Sequence, residues 1–223
     1  MANSKSALST RKLILMSLFC ALAYISVFVL RIPMVSFLDY EPKDVIITLA
    51  GLILGPISTI FISIVVSFIE MVTISDTGPI GMLMNVIASL SFALPVSFLY
   101  KYKRNINLAV MGLLIGTIAM TVSMIVWNYL ITPYYMGVPR PVVVDMLVPI
   151  FLPFNIIKAT INSTLVFLLY KPIIFALRKS RSITNSKSEI EVSKKAIIIF
   201  NVCALFILLA CIVIWILWRV NQK

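Results

Sequence analysis

Asn155, Lys158 and Asn162 lie three and four residues apart within an otherwise apolar stretch from Val142 to Tyr170. On a helix, that spacing puts all three on one face. A lysine inside a membrane span costs about 2.5–3.5 kcal/mol on insertion scales, so it persists where it faces a protein interior or a cavity and finds a partner there. Two amides and an ammonium on one stripe supply both donors and acceptors, which suits a ligand pocket. They also suit helix–helix adhesion, with the asparagines bonded across a bundle and Lys158 paired with an acid. The stripe alone leaves both open.

Four further polar residues fall at a comparable depth. Asn128 and Tyr129 precede Thr132-Pro133 near the outer end of the expected fifth helix, Glu70 sits about one turn from the outer end of the third, and Asn85 is near the start of the fourth. Polar groups on four helices at one depth are what a small-molecule site in a helical bundle requires. Each also has a structural alternative. Asn128 could bond a neighbouring helix, Glu70 could neutralise Lys158, Asn85 could cap a helix starting after Gly81, and Tyr129, Tyr134 and Tyr135 could form an interfacial belt.

The elements that position these residues follow from composition. Hydrophobic residues make up 61% of the 223 and charged residues only 12%, which indicates a polytopic membrane protein. The formal charge of +11 comes from basic residues scattered between apolar runs, so it reflects the positive-inside rule and not a nucleic-acid surface. Clear apolar runs cover 13–30, 82–100, 108–134, 142–170 and 196–218, each long enough to cross ~30 Å of hydrocarbon. Residues 13–30 follow Lys5, Arg11 and Lys12 and are read as a first transmembrane helix in preference to a signal peptide. The run 45–74 is broken at Gly55-Pro56, which ends one helix and starts another.

Charge decides how often that run crosses. If the N-terminus and the Lys101/Lys103/Arg104 cluster share the cytoplasmic side, 45–74 contributes two crossings or none; two, joined at Gly55-Pro56, is the expectation. Thirteen of the nineteen Lys and Arg are then cytoplasmic. The expected architecture is all-α and integral to the membrane. It has a six-helix transmembrane core over residues 1–177, a cytoplasmic linker over 178–195 and an additional C-terminal transmembrane helix over 196–218. That last helix carries Trp215 and Trp218 as an interfacial anchor.

The same residues exclude most chemistry. No stretch fits G-x-x-x-x-G-K-[ST], H-E-x-x-H or G-x-S-x-G, and histidine is absent, so neither ATP hydrolysis by a P-loop nor a familiar nucleophile is expected. Cys20, Cys203 and Cys211 have no metal-ligand spacing and read as small hydrophobes. No catalytic residue, metal or cofactor is expected. The external segment Phe37-Leu38-Asp39-Tyr40-Glu41-Pro42-Lys43-Asp44 starts a helix, with Asp44 suited to its positive end, and is long enough to act as a lid. Ser17 and Ala21, with Ala23 beside them, and Gly112 and Gly116 are small-residue pairs that allow close helix approach.

The order Tyr40-Glu41-Pro42-Lys43-Asp44, Gly55-Pro56, Gly78-Pro79-Ile80-Gly81 with Asn85, Trp127-Asn128-Tyr129 and Pro153-Phe154-Asn155-Ile156-Ile157-Lys158 resembles the substrate-binding S components of energy-coupling-factor (ECF) vitamin transporters. The resemblance is greatest to the riboflavin-specific branch and covers roughly residues 8–181. It implies a six-helix, non-enzymatic protein that captures riboflavin outside and delivers it inward with a transmembrane coupling subunit and two cytoplasmic ATPases. It further implies that Asn128, Asn155 and Lys158 hydrogen-bond the flavin, that the segment Asp39–Asp44 closes over it, and that Ser17 and Ala21 dock the coupling subunit. Two departures stand out: Val66, Ser67 and Glu70 replace a basic residue and asparagines seen in some members, and the seventh helix has no counterpart. The alternatives are an S component for pantothenate or folate, a proton-coupled secondary transporter using Glu70, or an assembly protein with no small ligand.

Overall fold

The computed structural model describes residues 2–35, 38–75, 77–102 and 106–179, together with Val213. The linker and the C-terminal helix expected over 196–218 therefore lie outside the described residues, apart from Arg178, Lys179 and Val213. Helix α1 (Ala2–Val29) leads through a two-stranded antiparallel hairpin, β1 (Ile32–Val35) and β2 (Leu38–Tyr40), into α2 (Lys43–Leu54) and α3 (Pro56–Thr73). Helices α4 (Gly78–Tyr102), α5 (Ile106–Met136), α6 (Arg140–Met146) and α7 (Leu152–Lys179) follow, with a π-helical turn over Leu147–Phe151 joining α6 to α7.

Among the described residues, five segments are long and apolar enough to cross a membrane: Thr10–Val29, Pro56–Thr73, Gly78–Tyr102, Asn107–Met136 and Arg140–Tyr170. The sequence led to six crossings in this part of the chain. Helix α2 is the exception, because its 12 residues span about 18 Å, short of the ~30 Å hydrocarbon core. The break falls where expected. Gly55 has φ 92° and ends α2, and Pro56 starts α3, a conformation that glycine adopts without a Cβ penalty.

What α2 lacks in length it gains in burial. Ile47 and Ala50 face Met16, Phe19, Ile62 and Val66 of α1 and α3. Val45, Leu49 and Leu52 face Phe92, Val96, Met120 and Val166 of α4, α5 and α7. The helix thus divides two apolar cores, and a charge at its start is carried into the protein interior. Helices α4 and α5 meet closely. A Cβ on Gly116 would lie 2.4 Å from the Phe92 carbonyl oxygen, and one on Gly112 would lie 2.7 Å from Val96 Cα. This G-x-x-x-G therefore serves internal packing.

The connection between α1 and α2 is a hairpin with Ile32 opposite Tyr40 and Pro33 opposite Asp39. Met34 and Tyr40 seat it on Phe154, Ile157 and Ile161 of α7. Before α7, the Leu152 N–H reaches back to the Leu147 carbonyl, the extra-residue bond of a π turn. Pro153, which has no N–H, follows at once. This local irregularity sets the rotation with which Asn155 and Lys158 enter the bundle.

Candidate functional site

The start of α2 carries two charges into the interior. Lys43 is 1% exposed and is the largest fully buried side chain. Its Nζ donates to Glu70 Oε2 at 2.5 Å and lies 2.8 Å from Glu41 Oε2. Asn85 Nδ2 donates to Glu70 Oε1 at 3.1 Å, so both Glu70 oxygens are engaged. Next along the helix, Asp44 accepts from Ser89 Oγ at 2.5 Å and from Asn162 Nδ2 at 3.4 Å. Asn162 Oδ1 in turn accepts from the Tyr40 hydroxyl at 2.9 Å. Buried charges need such partners, because removing one leaves the other stranded in a low-dielectric interior.

Above this network lies a cavity of about 100 Å³. Arg31 and Asp39 border it from the hairpin side, Glu41 from the link between β2 and α2, Glu70 and Asn85 from α3 and α4, and Asn128, Asn155 and Lys158 from α5 and α7. Met84, Met120, Met124 and Phe154 complete an apolar wall. Arg31 Nε donates to Asp39 Oδ2 at 2.7 Å and lies 3.7 Å from Glu41 Oε1, tying the end of α1 across the hairpin. Burial alone would raise the Glu41 carboxyl, but Lys43, Lys158 and Arg31 outweigh it and hold the group below its ordinary 4.5. Burial and the Asp44 carboxylate push the Tyr40 phenol upward, so Tyr40 remains a donor.

Two groups on the cavity wall keep unused capacity. Asn155 is buried and its Nδ2 donates to the Phe151 carbonyl at 2.7 Å, while its Oδ1 has no hydrogen-bond partner among the described residues. Lys158 Nζ lies 3.8 Å from Asp44 Oδ2, close enough for Coulombic attraction but too far for a hydrogen bond. Its N–H donors thus remain available beside a free acceptor. Asn128 is more constrained: its Nδ2 donates to the Met124 carbonyl and its Oδ1 accepts from Thr132.

The cavity brings together six residues singled out from sequence: Asp39, Glu70, Asn85, Asn128, Asn155 and Lys158. Tyr40 and Asp44 lie behind the wall in the supporting network. Tyr129 does not join them. It is 40% exposed, with the Arg140 guanidinium 5.2 Å from its ring centroid, because a one-residue step from Asn128 rotates it by about 100°. Nor does Glu70 pair with Lys158; Lys43 takes Glu70, and Asp44 takes Lys158. Asn85 is not a helix cap, since α4 starts at Gly78 and places it two turns in. Ser17 and Ala21 are exposed on α1.

Sequence reasoning missed Arg31, Glu41, Lys43 and Ser89. The available signal was the density of charge: Arg31, Asp39, Glu41, Lys43 and Asp44 fall within 14 residues of a chain that is otherwise 61% hydrophobic, and charges next to spans mark function.

A bundle with five membrane-length helices and a charge-rimmed cavity at one end defines a multi-pass membrane protein built to hold a small polar molecule. The chain belongs to the family described as "ECF transporter, substrate-specific component", whose profile matches residues 11–170. It is 31% identical over 180 residues to the riboflavin transporter FmnP of Bacillus subtilis (strain 168), covering 74% of this chain and 94% of that protein. It is 30% identical over 169 residues to the riboflavin transporter RibU of Staphylococcus aureus (strain TCH60), covering 72% and 89% respectively. A solved structure titled as the S component of a bacterial ECF transporter matches with TM-score 0.65 and 29% identity, over 76% of this chain and 99% of that one.

Proposed function

We propose that this chain is a riboflavin-binding S component that captures the vitamin outside the cell. It then passes the vitamin inward together with a coupling transmembrane subunit and two cytoplasmic ATPases, with its own N-terminus cytoplasmic. The observation that carries this reading is the free acceptor Asn155 Oδ1 beside the under-used donor Lys158 Nζ on one cavity wall. A flavin has ring carbonyls, an imide N–H and ribityl hydroxyls to meet such a pair, and a flat ring system to lie on Met84, Met120, Met124 and Phe154. Four carboxylates (Asp39, Glu41, Asp44, Glu70) face three cations (Arg31, Lys43, Lys158) around the site. That balance favours a neutral ligand over an anion such as pantothenate or folate.

A cavity of about 100 Å³ is smaller than the 300–1,000 Å³ typical of ligand pockets. Entry of a flavin therefore requires the wall to yield. The Arg31–Asp39 latch and the hairpin it secures are the movable part, consistent with a lid over Asp39–Asp44. Proton-coupled transport through Glu70 is the weaker reading, because Lys43 and Asn85 already occupy both carboxylate oxygens. The exposed Ser17 and Ala21 form the proposed docking face for the coupling subunit, and residues 178–195 and 196–218 are assigned as a linker and a seventh span.

The test is a binding competition on the purified full chain in detergent. Riboflavin should bind one-to-one with quenching of its fluorescence, and neither pantothenate nor folate should displace it at equal concentration. Displacement by either acid, or no quenching by folded protein free of flavin, would contradict the assignment.

A further inference from the structure

The end of the bundle opposite the charged cavity holds a second, open cavity of about 220 Å³, lined by Lys12 of α1, the α2–α3 turn and the end of α4. Lys12 and Lys101 stand on its rim from two different helices, and Tyr100 lines it between them and the turn. Neither lysine has a carboxylate within ion-pair distance among the described residues. Three backbone carbonyls at the α2–α3 turn already have donors. The Gly51 carbonyl accepts from Gly55 N–H, the Leu54 carbonyl from Ser58 Oγ, and the Gly55 carbonyl from the Ser58 and Thr59 amides. On the donor side, Ile57 is the second residue of α3, a position whose N–H has no carbonyl one turn back within the helix.

The surroundings decide what kind of anion fits. Ile57, at the cavity edge, is 73% exposed. It begins an exposed apolar ridge that runs along α3 through Phe61, Ile64 and Phe68. Basic cavities between transmembrane helices at the membrane surface recognise anionic lipid headgroups. An acyl chain would continue along that ridge, whereas a free phosphate would make no use of it. We propose that this cavity binds the phosphodiester headgroup of an anionic phospholipid, held by Lys12 and Lys101 with one chain along the outer face of α3. The assignment requires only that the chain sits in a membrane and is independent of the vitamin bound at the other end.

Native mass spectrometry of the full chain in detergent tests it with two probes, phosphatidylglycerol and phosphatidylcholine of identical chains. The wild type should retain phosphatidylglycerol preferentially, and Lys12→Gln with Lys101→Gln should lose that preference by roughly fivefold per lysine. Ile57→Glu, which leaves both lysines in place but sets a carboxylate at the mouth, should weaken retention likewise while circular dichroism and melting stay unchanged. Equal retention of the two lipids, or undiminished retention by Ile57→Glu, would overturn the proposal. Displacement of the lipid by equimolar glycerol phosphate would assign the cavity to a free phosphate and overturn it equally.

Discussion

The two ends of the bundle handle charge in opposite ways. At the hairpin end, Arg31, Lys43 and Lys158 are interleaved with Asp39, Glu41, Asp44 and Glu70, and most of these groups are buried and bonded to one another. At the other end, Lys12 and Lys101 are exposed, with no acid beside them among the described residues. A buried, cross-paired network fixes geometry, because each ion depends on its partner. Unpaired surface lysines contribute little to the fold and remain free for the membrane. The comparison teaches where rigidity is needed: the polar end must hold Asn155 and Lys158 still, whereas no ion pair fixes the two lysines at the other end among the described residues.

The sharpest way to break this contrast is Lys43→Ala. It strands Glu41 and Glu70 in the interior and should destabilise the protein by about 3–5 kcal/mol, read as a large drop in melting temperature. Lys101→Ala should leave the melt unchanged. If both variants melted alike, the hairpin-end network would not be what holds that end together.

Lys158→Ala comes next. It removes a charge-assisted donor from the cavity and should weaken riboflavin binding by about 1.5–3 kcal/mol, a loss of ten- to a hundredfold in a titration. The fold should survive, because Asp44 keeps Ser89 and Asn162. Between the two ends, Gly116→Val would drive a side chain into the Phe92 carbonyl and cost about 1–3 kcal/mol by overpacking. A melt equal to that of the wild type would show that α4 and α5 can separate.

A smaller effect is expected from acid. Glu41 sits below its ordinary 4.5 because Lys43, Lys158 and Arg31 outweigh its burial. A depressed carboxyl contributes stability above its unfolded pKa and loses it as pH falls through the folded one. The melt should therefore be flat from neutral pH down to about 5 and fall only below about 4.5, with Glu41→Gln lacking that part of the fall. Tyr129→Ala should change riboflavin affinity by less than about twofold, since its ring lies outside the cavity against Arg140. A tenfold loss would return Tyr129 to the site.

How much of this was legible in the sequence depends on whether a feature is local. The stripe of Asn155, Lys158 and Asn162 could be read from helical spacing alone, and the break at Gly55-Pro56 from two residues with known backbone preferences. Membrane class followed from composition. The partner of Glu70 was not legible, because Lys43 and Lys158 are equally plausible until α2 is known to be short and central. A crossing for α2 follows from the placement of charge and the break at Gly55-Pro56, while its 12-residue length depends on where the helix begins, which those signals leave open. Tyr129 was carried into the site by its neighbour Asn128, although adjacent helical residues face different ways. The hairpin needed the apolar floor that Phe154 and Ile157 provide, which no local pattern in residues 32–40 announces.

The most direct test of the central claim is a riboflavin titration of the wild type beside Asn155→Ala, Lys158→Ala and the double variant, each shown to melt as a folded protein. Tight one-to-one quenching in the wild type, weakened in each single variant and weakened further or lost in the double, would place the flavin on the free acceptor and donor of α7. Wild-type affinity in both single variants would contradict that account and move the ligand away from this wall.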